Sequence, residues 1–224
     1  MTLPEPGSGD KINERITIMS LSDELLYKSR NGLETLDASV IAEADRFCED
    51  YKTFLDNSKI EREAVKTAIA MAEERGYKPF EVGRKYSAGD KLYYNNRGKA
   101  LILCTVGSEP LESGMHISAA HIDSPRLDLK PNPLYQNEEL AYFKTHYYGG
   151  IKKYQWTATP LALHGVVVKK DGTVIDVKIG EDDSDPVLYV TDLLPHLAAE
   201  QAKRTMNVVI KGEELNTQIG RAHV

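Results

Sequence analysis

The sequence predicts a three-layer α/β domain followed by a second, strand-rich unit, with a boundary near residue 125. Two amphipathic helical patterns occupy the first part of the chain, and short apolar runs typical of strands follow them. One of these runs, Ala100 to Val106, is almost entirely apolar, which is typical of a strand covered on both faces. Helices before strands therefore favour a layered α/β domain.

The helices are predicted from the spacing of their apolar residues. Residues at helical spacing between Asp37 and Asp56 should form one buried stripe, made of Ile41, Ala44, Phe47, Cys48, Tyr51, Phe54 and Leu55. Ser58 and Glu61 have the form of a capping box that opens a second helix, and Gly76 can end that helix. The first ten residues are rich in proline and glycine and should form a loose tail.

Strands are predicted where short runs of β-branched, aromatic and apolar residues lie between turn signals. These runs are Leu92–Tyr94, Ala100–Val106, Met115–Ala120, Val187–Val190 and Val208–Ile210. Two further runs, Leu163–Val168 and Thr173–Ile179, flank a Lys-Asp-Gly turn and should form a β-hairpin. A short helix is expected from about Asp192 to Arg204.

Charge and composition exclude several classes of partner. The net charge is -6, and no cluster of Lys and Arg could neutralise a phosphate backbone or bind an anionic membrane. No apolar stretch approaches the roughly 20 residues that span a bilayer, and the first residues do not resemble a secretion signal. A cytoplasmic location is therefore expected. The two cysteines, Cys48 and Cys104, should be reduced core thiols.

The candidate site lies in residues 118–125, SAAHIDSP. Residues two apart on a strand point to the same side, so His121 and Asp123 can converge at the carboxyl end of a strand, where open α/β sheets bind ligands. A carboxylate at this position can orient an imidazole that binds a metal. A short His-x-Asp motif also occurs by chance, so an ordinary hydrogen-bonded histidine stays an alternative.

The same segment also contains the residue types of a serine-hydrolase triad. Adjacent residues of an extended chain face opposite sides, so Ser124 would not reach His121 while Asp123 orients it. This spacing argues against a serine hydrolase. The other histidines carry no motif that favours chemistry, and they are His116, His146, His164 and His196. From its sequence context alone, His196 is a capping or surface residue.

Four ordered blocks of the sequence match one enzyme family. They are AAHIDSPRLDLKPNPLY (Ala119 to Tyr135), YYGGIKKYQW (Tyr147 to Trp156), PLALHGVVV (Pro160 to Val168) and LLPHLA (Leu193 to Ala198). Together they resemble the metallo-aminopeptidases that include aspartyl aminopeptidase and vacuolar aminopeptidase I. The resemblance covers almost the whole chain up to about Asn216.

The resemblance implies an α/β zinc-peptidase domain interrupted by an inserted β-rich domain that serves dimerisation and covers the active site. Such enzymes use two metal ions, usually zinc, and a glutamate base to release one N-terminal residue from a peptide. Homo-oligomers are implied, as a dodecamer built from dimers. By position, His121 resembles the first metal ligand and Asp123 the carboxylate that orients it. His196 resembles the histidine that reaches into a neighbouring subunit's site and steadies the substrate carbonyl.

The resemblance also implies a truncated chain. Residues 1–124 would be the N-terminal part of the catalytic domain, and residues 125–217 an incomplete inserted domain. The family's remaining ligands and its base lie further downstream, so this fragment should be inactive. Glu213 and Glu214 follow a predicted strand and are interpreted as turn residues, not as the catalytic pair.

The last residues of the chain have an unusual sequence. Residues 218–224, QIGRAHV, match one translated frame of a common sequencing-adapter oligonucleotide, so we expect a tail that does not belong to the fold, and His223 is not a candidate ligand.

Two alternative functions stay open. A non-catalytic oligomerisation or binding module is the first. A related zinc exopeptidase with a similar His-x-Asp strand is a second one, which the YYGG and LLPHLA blocks make less favourable.

Overall fold

The computed structural model describes residues 25–221, which belong to two compact units. The first unit extends to Glu49 and the second begins at Asp50. The predicted loose tail of the first ten residues lies outside the described residues, as does His223. None of the helices in the described part has the length and apolar content that a membrane span requires.

Helix α1 spans Ala38–Asp56, as its apolar periodicity predicts. The unit that ends at Glu49 contains a 3-10 turn, Gly32–Glu34, and the first part of this helix. The predicted burial of its stripe is wrong, because no residue of α1 is buried and Phe47 is 70% exposed. Periodicity predicts which residues share a face, but burial needs another element against that face.

Helix α2 spans Glu61–Glu74 and ends before Gly76, whose φ of 84° suits a helix C-terminus. The predicted capping box is wrong. The backbone N–H of Lys59 donates instead to a carboxylate oxygen of Glu63 at 3.0 Å. The side-chain oxygen of Ser58 is buried and has no hydrogen-bond partner among the described residues.

The first sheet contains β1 (Lys78–Pro79), β2 (Lys91–Asn96) and β3 (Ala100–Thr105) in that order. β1 is parallel to β2, and β2 is antiparallel to β3. Helix α2 packs against β2 and β3 and has three buried side chains, those of Ala64, Val65 and Ala72. The two longer strands confirm the prediction for this part of the chain.

The expectation that strand β3 is covered on both faces is wrong for the described residues, because its apolar side chains are exposed. Its Ile102 is 62% exposed and its Leu103 is 48% exposed. Cys104 on this strand and Cys48 on α1 are free thiols, as predicted, but they are exposed and not in a core. A third layer over this sheet stays a prediction.

The predicted strand Met115–Ala120 does not form. Apart from a 3-10 turn at Leu111–Ser113, residues 106–125 have no helix or strand. A strand needs a neighbour to complete its backbone hydrogen bonds, and no described segment pairs with Met115–Ala120. Composition thus favours an extended chain here, but a pairing partner is missing.

The second sheet has the order β4-β5-β9-β8 and is antiparallel throughout. Its strands are β4 (Arg126–Asn137), β5 (Leu140–Tyr148), β8 (Tyr189–Val190) and β9 (Thr217–Arg221). The register shifts between Leu129 and Leu134, where two prolines interrupt β4. The expectation that residues 218–224 lie outside the fold is wrong for residues 218–221, because β9 pairs with β5 up to Arg221. Residues 222–224 lie outside the described residues. The origin of that tail stays a prediction.

The predicted hairpin is confirmed as β6 (Leu163–Val168) and β7 (Val174–Ile179). A small core near the second sheet contains Val190, Ile210 and Leu215. The predicted helix from Asp192 to Arg204 and the predicted strand at Val208–Ile210 are wrong, because both segments form turns. The leucines of the first segment are exposed, so no buried face stabilises a helix there.

The predicted boundary at residue 125 falls within the second compact unit, at the point where β4 begins. It coincides with the change from the first sheet to the second. As a domain boundary it stays a prediction.

Candidate functional site

The His-x-Asp motif forms a compact arrangement without the predicted strand. The Nδ1 atom of His121 lies 2.9 Å from the backbone oxygen of Asp123 and 3.3 Å from its Oδ1 atom. Both neighbours are oxygens that accept hydrogen bonds, so Nδ1 carries the proton and donates. The side chain of His121 is 83% exposed, and its other nitrogen, Nε2, has no hydrogen bond or ion pair among the contacts of residues 25–221. The predicted convergence of the two side chains is therefore present.

Asp123 is held from a second direction by a tyrosine. The hydroxyl of Tyr148 donates to Oδ2 of Asp123 at 2.6 Å. This hydrogen bond is the main reason why the pKa of Asp123 lies below its ordinary value, and it also raises the pKa of Tyr148. The carboxylate of Asp123 is therefore ionised and fixed on both of its oxygens.

Arg126 connects this site to the rest of the unit. Its guanidinium lies 4.2 Å from the centre of the Tyr148 ring, within the range of a cation–π contact. Its Nε donates to Asp128 at 2.7 Å, and its Nη1 lies 3.7 Å from a carboxylate oxygen of Glu61 on α2. In the β4–β5 register, Arg126 is directly opposite Tyr148.

A tight turn brings the YYGG block to the same place. Gly149 has a φ of 80°, a conformation that favours glycine. A Cβ atom on Gly149 would lie 3.5 to 3.6 Å from Pro125. Two blocks that are separate in the sequence, HIDSP and YYGG, are thus in contact.

The residues of this site do not form a complete zinc site. A catalytic zinc normally has three protein ligands. Within residues 25–221, no group of three or more His, Cys, Asp and Glu side chains could hold a metal ion. His121 fits one ligand position because its Nδ1 is held and its Nε2 is free. The described residues thus supply one metal ligand, which is too few for a complete metal centre.

His196 lies apart from this arrangement. It belongs to a turn at residues 195–197 and is exposed. Its neighbours in the turn are joined by a hydrogen bond from the backbone N–H of Leu197 to the oxygen of Leu194 at 2.9 Å. None of the contacts of the described residues joins His196 to His121 or Asp123, so the structure brings two of the three predicted site residues together.

The adjacent glutamates occupy the predicted turn. Glu213 and Glu214 belong to a 3-10 turn, Gly212–Glu214. Lys130 contacts Glu213 at 2.8 Å, and this contact lowers the pKa of Glu213. Burial by itself raises the pKa of Glu214, but hydrogen bonds from the Lys211 backbone and from Arg204 outweigh it, so this pKa is also lowered. Both carboxylates have structural partners.

His164 is a satisfied structural residue, as the sequence favoured. Its side chain is only 6% exposed, and its two ring nitrogens lie 2.7 Å from Glu63 and 2.8 Å from Glu181. It lines a cavity of about 710 Å³ between the start of α2 and strands β4, β5 and β6. Arg126 lines this cavity too, but His121 and Asp123 do not.

Sequence reasoning missed Tyr148 and Arg126. Both residues lie inside blocks that carry the family resemblance, but only the pairing of β4 with β5 shows that they meet Asp123. The adjacent glycines after Tyr148 were the available signal, since a tight turn at that point returns the chain toward Pro125.

Comparisons with known proteins agree on one family. The model described as "Aminopeptidase I zinc metalloprotease (M18)" matches residues 54–222. The protein named "Probable M18 family aminopeptidase 1" of Clostridium acetobutylicum is 50% identical over 204 residues, which are 89% of this chain and 44% of that protein. A protein of the same name from Thermotoga maritima is 46% identical over 173 residues, which are 77% of this chain and 38% of that protein.

Solved structures give the same result. The M18 aminopeptidase of Thermotoga maritima has a TM-score of 0.81 and 40% identity, and the match covers 89% of this chain and 43% of that chain. Aminopeptidase I of Clostridium acetobutylicum has a TM-score of 0.78 and 45% identity, with coverage of 89% and 44%. The yeast mApe1 dodecamer, at 18% identity and a TM-score of 0.60 over 79% of this chain and 39% of that chain, shares the fold. The chain spans less than half the length of these relatives.

Proposed function

Because the chain belongs to the M18 family of zinc metallo-aminopeptidases, we propose that it is the N-terminal part of a dinuclear zinc enzyme that removes one N-terminal residue from peptides. The observation that carries this proposal is the state of His121. Its Nδ1 contacts Asp123, and its Nε2 has no partner among the described residues, so Nε2 is available to ligate a metal.

The other roles follow from the family resemblance. Asp123 orients His121, and His196 acts in the site of a neighbouring subunit. The exposure of His196 supports a role across an interface, as does the lack of any contact with the His-x-Asp segment among the described residues. A solved relative that is a dodecamer supports a homo-oligomer. The inserted lid domain and a cytoplasmic location stay predictions.

The 224-residue chain itself should be inactive, because the described residues supply one ligand where a catalytic zinc has three. The test is elemental analysis of the purified chain after dialysis against zinc, together with hydrolysis of aminoacyl substrates. We expect no stoichiometric zinc and no turnover. About one tightly bound zinc per chain would contradict the proposal.

The proposed peptidase activity has to be tested in a protein that also contains the downstream half. The chain up to Asn216 can be fused to the downstream half of the Clostridium acetobutylicum relative, which is 50% identical to it over the shared region. We expect this chimera to bind zinc and to release N-terminal residues from peptides. The matched control is the same chimera with His121→Ala. A folded chimera that holds zinc but hydrolyses no peptide would refute the proposed reaction.

A non-catalytic oligomerisation module remains the second candidate. The observation that favours it is the exposed apolar surface of β3, where Ile102 and Leu103 face solvent beside an unpaired strand edge. Such a module would form defined oligomers, and completing the chain would create no metal site. Sedimentation and zinc analysis of the same chimera therefore distinguish the two candidates.

A further inference from the structure

The contact between HIDSP and YYGG has a specific geometry at Asp123. One carboxylate oxygen, Oδ2, accepts the Tyr148 hydrogen bond at 2.6 Å. The other, Oδ1, lies 3.3 Å from Nδ1 of His121. A rotation of the carboxylate would therefore break the hydrogen bond from Tyr148 and change the contact between Oδ1 and His121.

From this arrangement we propose that Tyr148 is a positioning residue, which fixes the carboxylate of Asp123 and through it the orientation and tautomer of His121. This inference rests on the proposed function, since a fixed imidazole matters most for a metal ligand. It adds a residue from the end of β5, 25 positions away along the chain.

Tyr148 is itself held in place. Arg126 lies over its ring at 4.2 Å, and Arg126 is fixed by Asp128 at 2.7 Å and by Glu61 at 3.7 Å. The backbone of Tyr148 is paired with Arg126 in the β4–β5 ladder. The hydroxyl therefore reaches Asp123 from a rigid strand end, which is how an outer hydrogen bond fixes a ligand most effectively.

The hydroxyl can be removed without disturbing the ring. Tyr148→Phe keeps the cation–π contact with Arg126 and the strand pairing, and it deletes only the hydrogen bond to Asp123. The freed carboxylate should then sample other rotamers, and its support for the Nδ1–H tautomer of His121 should weaken. The backbone oxygen of Asp123 still accepts from Nδ1, so the preference should fall and not vanish.

The experiment is ¹⁵N NMR of the histidine rings in the 224-residue chain, at about pH 8, where imidazoles are neutral. The His121 signals are assigned by their loss in His121→Gln. In the parent chain the two ring nitrogens should differ strongly, as in one dominant tautomer, and Tyr148→Phe should move both shifts toward the average of two tautomers. Circular dichroism and a thermal melt report whether each variant is folded.

The matched control is Tyr147→Phe, which removes the neighbouring hydroxyl from the same strand. Tyr147 stacks on His146 and lies under Lys153, and its hydroxyl has no hydrogen bond among the contacts of the described residues. It should leave the His121 signals unchanged. Unchanged His121 signals in a folded Tyr148→Phe chain, or equal shifts in both variants, would overturn the proposal.

A second variant covers the case in which Tyr148→Phe does not fold. Asp123→Asn replaces the carboxylate that Tyr148 and His121 share, so it should shift the same His121 signals, and failure to do so would also overturn the proposal. These measurements need neither zinc nor turnover. If the chimera is inactive but Tyr148→Phe still shifts the His121 signals, only the proposed reaction is refuted. If the chimera is active but Tyr148→Phe leaves those signals unchanged, only the role of Tyr148 is refuted.

Discussion

His164 offers a quantitative test of how α2 is joined to the β6–β7 hairpin. Its ring, 6% exposed, lies between Glu63 of α2 and Glu181 just after β7. An ion pair between Lys66 and Asp176 connects the same two elements. The informative perturbation is His164→Leu, which preserves much of the volume and removes both hydrogen bonds.

The expected loss of stability follows from the two hydrogen-bond partners of His164 and from the exposure of those partners. A hydrogen bond to a charged group contributes about 1.5 to 3 kcal/mol, so two would contribute about 3 to 6 kcal/mol. The side chains of Glu63 and Glu181 are 25% and 33% exposed, so water can partly replace the lost ring. We therefore expect His164→Leu to lower the free energy of unfolding by about 2 to 4 kcal/mol. His164→Gln keeps one donor group and should lower the free energy of unfolding by about half as much.

The assay is urea unfolding followed by circular dichroism, with the midpoint and the m-value compared between variants. The control is His116→Leu, since His116 is exposed and lies in a segment without helix or strand. This control should change stability by less than about 0.5 kcal/mol. If His164→Leu is as stable as the control with an unchanged m-value, the two hydrogen bonds do not hold the hairpin to α2.

Two further predictions concern the acid range and the proposed interface. The lowered pKa of Glu214 means that its stabilisation is complete above the ordinary carboxylate pKa, near 4.3, and is lost as the pH falls through the folded value. Arg204→Met should therefore destabilise the chain at pH 6, and its difference from the parent should shrink below about pH 4 in pH-dependent unfolding. In the active chimera, His196→Ala should lower kcat by about 10² to 10³ with unchanged zinc content. Near-normal turnover of the His196→Ala chimera would show that His196 is an ordinary surface residue.

Local sequence patterns were enough to predict the features whose interacting residues lie close together along the chain. Helix α2 and the hairpin of β6 and β7 appear where periodicity and turn residues predict them. The ordered motif blocks were enough to indicate the family. His121 and Asp123 converge as predicted, although the strand on which that prediction rested does not form. The helix, the hairpin and the contact between His121 and Asp123 each lie within one short stretch of the chain.

Tertiary structure decided whatever depends on a partner distant along the chain. Met115–Ala120 stays unpaired and residues 192–204 form turns, because a strand needs a neighbour and a short helix needs a buried face. The link from Tyr148 to Asp123 exists because β4 and β5 are antiparallel, so that β4 begins opposite the residue at which β5 ends. Sequence specifies which side chains can make such contacts, and the pairing of strands decides which of them meet, since hydrogen bonds form only over about 3 Å.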